Sequence, residues 1–205
     1  MKKLLHIIAT PRGEESRTLQ VSGAFLRAFA AQHPDCLVET LNLFEAELPP
    51  LAANQVDGKY ALMGGKDLTG DLALAWKNIL RFIEQFLSAD AYLLSVPMWN
   101  FGVPYILKHY LDVIAQPRYL FRYTAAGPEG LVKDRKMAVI TSRGGDYSAD
   151  PAKALDHQEP YLRAIFNLVG ITDLTFIHAQ PMDAAGPAVQ KDRVRDASAA
   201  AERLA

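Results

Sequence analysis

Thr10, Ser16 and Thr18 bring three hydroxyls, with Arg12 and Arg17, into nine residues that open a stretch of helical period. Hydroxyls, guanidinium groups and the unpaired N–H groups of a helix N-terminus are what a phosphate group needs. On residue types alone, Ser16 serves equally as a plain N-cap beside solvated arginines, and Glu14 and Glu15 would repel an anion if they turned inward. The turn is expected to be exposed. It lacks the Gly-Lys-Ser/Thr ending of a P-loop and the Gly-x-Gly-x-x-Gly of a dinucleotide turn. It also has no cysteine to serve as a phosphatase nucleophile.

A second string, Pro97-Met98-Trp99-Asn100-Phe101-Gly102-Val103-Pro104, is stiffened by two prolines and presents a thioether, an indole, an amide and a phenyl in succession. A planar heteroaromatic ligand would use that surface, with Asn100 at its edge. Packing against the following helix is the plainer use. A third string, Ser142-Arg143-Gly144-Gly145-Asp146-Tyr147, carries paired glycines that let backbone approach a ligand and expose successive N–H groups. Alone it is an ordinary turn. Tyr147 and His157 are conceivable proton donors, but a pocket wall and a surface histidine are the simpler readings. No side chain is required as an acid or base. His6 reads as a core residue, and His33, His109 and His178 lack metal-ligand spacing, so no metal is expected.

These strings need a scaffold. Leu4–Ala9, Leu37–Leu41, Ala91–Val96, Lys136–Thr141 and Leu174–Ala179 read as strands, and three are nearly continuous apolar runs, as parallel strands covered on both faces are. Between them, Arg17–Ala31, Leu72–Leu87, Val103–Ala115 and Tyr161–Val169 carry apolar residues at helical spacing, with Pro160 and Gly170 marking the start and stop of the last. The stretch from about Pro187 to Leu204 reads as a surface helix. Phe44–Gly70, rich in glycine and proline, reads as a long connection lining a site or a subunit contact. Alternating strands and helices predict an α/β, doubly wound parallel sheet in one domain over residues 1–205. Trp76 and Tyr110 fall on apolar stripes and are expected in the core.

The 205 residues are 50% apolar and 22% charged, with net charge −1, so no global field favours nucleic acid or an anionic membrane. A single cysteine, Cys36, excludes a disulfide framework and points to a reducing cytoplasm. The apolar run after Lys2 and Lys3 is too short for a signal peptide, and no stretch is long enough to span a membrane.

In open α/β sheets ligands bind beyond the carboxyl ends of the strands. The three strings follow the first, third and fourth strands, which lie side by side in a flavodoxin-like order (2-1-3-4-5). Hydroxyls for a phosphate, aromatics for a ring and amides for its polar edge together describe FMN.

At these residues the chain resembles the FMN-dependent NADH:azoreductase/quinone reductase family of flavodoxin-like fold. The likeness covers nearly the whole length and also includes Phe121-Arg122-Tyr123-Thr124, Gly127–Leu131 and Val169–Asp173. It implies that Thr10, Ser16, Arg17 and Thr18 hold the FMN phosphate, and that Pro97, Met98, Trp99, Asn100, Phe101, Ser142, Arg143, Gly144 and Gly145 hold the ring. It further implies a homodimer with Phe121 and Tyr123 helping to wall a pocket. The implied activity has two half-reactions at one site: hydride passes from NADH (or NADPH) to FMN, then to a quinone or, incidentally, an azo compound. Thr10 stands where a serine is common, Trp99 where tyrosine often stands, and Ile165 where some members have phenylalanine; none of these removes a group that FMN needs. Two rival readings are a flavodoxin-like electron carrier, which the near-zero net charge disfavours, and a non-catalytic FMN-binding protein.

Overall fold

Apolar strands and amphipathic helices alternate along the chain in the computed structural model, which describes residues 1–184 and 186–205. The first half comprises β1 (Lys3–Ile8), α1 (Arg17–Gln32), β2 (Leu37–Asn42), α2 (Ala53–Met63), α3 (Gly70–Leu87) and β3 (Ala91–Ser95). The second comprises α4 (Tyr105–Ile114), β4 (Phe121–Thr124), β5 (Gly127–Gly130), β6 (Lys136–Ser142), α5 (Glu159–Val169), β7 (Asp173–Ala179) and α6 (Gly186–Leu204).

Five strands form one parallel sheet in the order β2-β1-β3-β6-β7, and β4 and β5 make a separate antiparallel hairpin. Counting only the strands of the main sheet, this is the expected 2-1-3-4-5 order of a flavodoxin-like fold. The middle strands are buried on both faces. Leu5, Ile7, Leu94 and Val139 pack under α3, α4 and α5, while Leu4, Leu93 and Ile140 pack under α1 and α6. Trp76 and Tyr110 are core residues, both essentially inaccessible.

Three local readings change. Phe44–Gly70 is not a plain connection, because Ala53–Met63 within it forms α2. That helix buries only Gly58 and Leu62, so its sequence carries almost no apolar stripe. It is held instead by α3: the Trp76 indole donates to the Gln55 carbonyl at 3.0 Å, and a Cβ at Gly58 would collide with the indole. The helix expected from Val103 begins at Tyr105, with Pro104 as its N-cap, because a residue before proline is pushed out of helical conformation. The 121–130 hairpin was not visible as strands, since Gly-Pro-Glu-Gly has no strand propensity.

His6 sits inside the sheet with its Nε2 2.7 Å from the Ser95 hydroxyl, and burial pushes its pKa down to about 4. An unfolded histidine binds its proton near pH 6.5, so between pH 6.5 and 4 the unfolded state takes up a proton that the folded state refuses. Stability is therefore lost as pH falls through that window, by an amount on the order of 3 kcal/mol. Replacing His6 with glutamine is expected to flatten the acid-unfolding curve between those values. Parallel curves for the two proteins would refute this.

Candidate active site

Each of the three strings lies at the carboxyl edge of its strand, and parallel pairing brings the three together. Met98 N–H donates to the Ser142 carbonyl at 2.9 Å, joining the loop after β3 to the end of β6. Thr10, Arg12, Ser16, Arg17, Pro97, Met98, Trp99, Ser142, Arg143 and Gly144, with Met182 and Asp183, line one cavity of about 220 Å³. A wider cavity of about 890 Å³ opens at the opposite, amino end of the strands, beside Leu4, Ala91 and Lys136, away from all three strings.

At the first string, Ser16 caps α1. Its hydroxyl accepts from Leu19 N–H at 3.3 Å and its carbonyl from Gln20 N–H at 3.0 Å. Among the described residues, the amides of Arg17 and Thr18 are left as the helix's unpaired first-turn donors. The hydroxyls of Thr10 and Ser16 and the side chains of Arg12 and Arg17 belong to residues lining the cavity, and with these first-turn amides they are a fitting donor set for a phosphate. The Arg17 guanidinium is held by Asp183 at 2.6 Å, a pair exposed enough to contribute only about 0–1 kcal/mol, so an incoming dianion can take Arg17 over. The turn is less exposed than its composition suggests: Ser16 and Thr18 are both buried. Thr18 does not present its hydroxyl to the cavity. It shares a hydrogen bond of 2.7 Å with the Ser142 hydroxyl, so its side chain ties α1 to β6.

At the second string, Trp99 and Gly102 exchange backbone hydrogen bonds of 3.0 Å around Asn100 and Phe101, whose φ angles are +47° and +69°. Left-handed backbone at a phenylalanine costs about 1–2 kcal/mol, and such strain persists only where the surroundings impose it. The turn lifts Asn100 and Phe101 clear of the surface beside the cavity. Neither lines the 220 Å³ space itself.

At the third string, the N–H groups of Gly144 and Gly145 have no acceptor among the described residues, although the Gly144 carbonyl accepts from Met182, Asp183 and Ala184 at 3.0–3.2 Å. These glycines supply proximity rather than unusual backbone angles. A Cβ on Gly144 would press on Asp183 Oδ2 at 3.1 Å, and one on Gly145 would meet the Tyr147 ring at 3.4 Å. Gly145 itself, like Asn100 and Phe101, flanks the cavity. The Arg143 side chain departs from its expected role. Its guanidinium turns into the protein, 2% exposed, and pairs with Asp156 at 2.9 Å. Burial lowers its pKa, opposed by Asp156 and Glu159.

Of the remaining expectations, Tyr147 packs edge-on to Phe101, with ring centroids 6.4 Å apart, and His157 is exposed. Phe121 and Tyr123, stacked edge to face on the hairpin, do not line the cavity of their own chain. Met182 and Asp183 were missed. The signal was available: they follow β7, whose carboxyl end adjoins that of β6, and the strand-end rule applies to that loop as to the other three.

A model of the flavodoxin-like fold family matches residues 2–204. An FMN-dependent NADH:quinone oxidoreductase of Nitratidesulfovibrio vulgaris is 37% identical, the match covering 100% of this chain and 99% of that one. FMN-dependent NADH:quinone oxidoreductase 2 of Pseudomonas syringae pv. tomato is 36% identical over 98% and 97% of the two chains. Among solved structures, an azoreductase from Bacillus anthracis str. Sterne superposes with a TM-score of 0.90 at 28% identity, covering 100% and 98%. An FMN-dependent NADH-azoreductase from Bacillus anthracis str. Ames Ancestor, in complex with FMN, gives 0.86 at 30% identity over 100% of both chains.

Proposed function

The chain belongs to the flavodoxin-like family of FMN-dependent NADH:quinone oxidoreductases and azoreductases, and on that premise we propose that it reduces quinones, and azo compounds incidentally, with NADH through FMN held at the carboxyl edge of its sheet. The observation that carries the assignment is the meeting, in one place, of a helix N-terminus with spare hydroxyls and amides, an aromatic turn and two unpaired glycine amides. An electron carrier or inert FMN-binding protein is not favoured beside these relatives.

Bound FMN supplies the hydride chemistry, accepting from NADH and delivering to the acceptor. The chain's part is to bind and orient. Thr10, Ser16 and Arg17, with the amides of Arg17 and Thr18, hold the phosphate. Pro97, Met98 and Trp99 shape the ring's bed, with Asn100 and Phe101 at its border. The unpaired amides of Gly144 and Gly145 would donate to the polar edge of the ring and favour negative charge there. Ser142 reaches this bed through its backbone, and Arg143 supports it from behind.

We further propose a homodimer acting in the cytoplasm. Tyr60, Leu74 and Tyr105, on the neighbouring helices α2, α3 and α4, are 65–78% exposed, an apolar display that a second copy would cover. Tyr123, 60% exposed on its hairpin, is free to wall the pocket of that second copy. Sedimentation should give twice the chain mass; a monomer at micromolar concentration would remove this part of the reading. No helix among the described residues is long and apolar enough to cross a membrane.

The direct test is anaerobic. Protein loaded with FMN should bleach on adding NADH and recover its colour on adding a quinone, repeatedly. A bound flavin that NADH cannot reduce would favour the carrier reading, and failure to bind FMN would remove the cofactor assignment. Phe101→Gly should leave the apoprotein as stable or up to about 1 kcal/mol more stable, by relieving the left-handed backbone. Quinone turnover should nevertheless fall several-fold as the turn loosens. A variant that is both less stable and fully active would contradict the role of the strained turn.

A further inference from the structure

The loop that carries the strained turn and the glycine loop are both anchored to one buried side chain outside the cavity lining. Gln158, wholly buried at the start of α5, donates through Nε2 to the Pro97 carbonyl at 2.9 Å, and its Oε1 accepts from Arg143 Nε at 3.2 Å. One amide thus links the loop after β3 to the loop after β6. Its own place is fixed by Asp156: one carboxylate oxygen accepts the backbone N–H groups of Gln158 and Glu159 at 2.9 and 3.1 Å, and the other takes Arg143 Nη1 at 2.9 Å. The adjacent His157 N–H donates to the Phe101 carbonyl at 2.9 Å, pinning the residue of the turn with the larger positive φ. Behind them Glu159 accepts from His178 Nε2 at 2.8 Å and lies 3.9 Å from Arg143 Nη2, which has no hydrogen-bond partner among the described residues. A buried polar group at the centre of such a network is costly unless every arm is made, and the arms here end on the two loops that flank the ring bed.

We propose that Gln158, braced by Arg143 and Asp156, is a positioning residue for the flavin ring: it clamps the Pro97–Gly102 loop to the Ser142–Gly145 loop and so presets the turn that receives the ring. The inference rests on the FMN reading above and deepens it. Binding then spends little on ordering the loops, and the benefit appears in affinity for the ring rather than for the phosphate.

Gln158→Glu separates the arms. The carboxylate keeps a partner in Arg143, which holds the fold, but it cannot donate to the Pro97 carbonyl and repels it. FMN and riboflavin titrations should both show about tenfold or greater weakening, the same for each because riboflavin carries the ring without the phosphate, while apoprotein melting moves by only a few degrees. Amide exchange over residues 98–102 should quicken in the variant. Wild-type affinity for both flavins in a folded variant would overturn the proposal, as would a loss confined to FMN. If the variant does not fold, the wild-type apoprotein decides: slow exchange at 98–102 supports a preset turn, and fast exchange that slows only with FMN overturns it. Wild-type protein that binds neither flavin would count against the cofactor assignment itself, a separate outcome from these.

Discussion

Ser16→Asp should weaken FMN binding about 100-fold or more, roughly 2.7 kcal/mol, while leaving the apoprotein at least as stable as the wild type. Aspartate caps a helix as well as serine does, so the bond from Leu19 N–H survives. A negative charge at the start of α1 also interacts favourably with the helix dipole, by about 0.3–1 kcal/mol. The same carboxylate would occupy the cradle of Thr10, Arg12 and Arg17 and oppose a phosphate dianion there. Two unit charges 4 Å apart repel by about 4 kcal/mol in a partly buried setting, more than the neighbouring arginines offset. Riboflavin is the control: lacking the phosphate, it should bind both proteins alike. Equal FMN affinity in the two proteins would move the phosphate elsewhere, and a loss shared by riboflavin would mean that the substitution had disturbed the ring bed.

Gly130→Ala should cost about 3 kcal/mol, lowering the melting temperature by roughly 6–12 °C in a chain of this size. Gly130 ends β5 where the hairpin lies directly on the C-terminus of α5, and a Cβ there would overlap the backbone N and Cα of Gly170. Neither side can give way. Gly170 closes α5 with φ +103°, its N–H and that of Ile171 both spent on the Phe166 carbonyl at 3.1 and 2.9 Å. On the other strand side, Val132 N–H is committed to the Val169 carbonyl at 2.9 Å. The hairpin must lift as a unit, taking Tyr123 with it. If Tyr123 walls the acceptor pocket of a second copy, KM for quinone should rise more than kcat falls. An unaltered melting curve would show that the hairpin is not seated on α5 as described.

Much of the site was legible because its signals are local. Ser16 as a cap, two prolines bracketing an aromatic string and a glycine pair after an apolar strand each declare themselves within a few residues. Strand order then places the strings together without any knowledge of side chains. Two side chains take distant partners that no local signal announces. The resemblance places Arg143 among the residues that hold the ring, but its guanidinium meets Asp156, which becomes a partner only once the connection to α5 folds back. Thr18 looked like a phosphate hydroxyl, but Ser142, its partner, lies 124 positions away.

The sequence by itself determined the α/β alternation, the parallel sheet, the strand-end location of the site and the types of group available there. Apolar periodicity and capping are properties of contiguous residues, and they act on the chain before any distant contact forms. Tertiary structure alone decided which way each polar side chain turns, that Ala53–Met63 is a helix held by Trp76, that Met182 and Asp183 complete the cavity wall, and that Gln158 joins two loops. Those outcomes depend on hydrogen bonds and steric fits between segments far apart in the chain. A buried polar group goes where its partners are, and no local pattern records their positions.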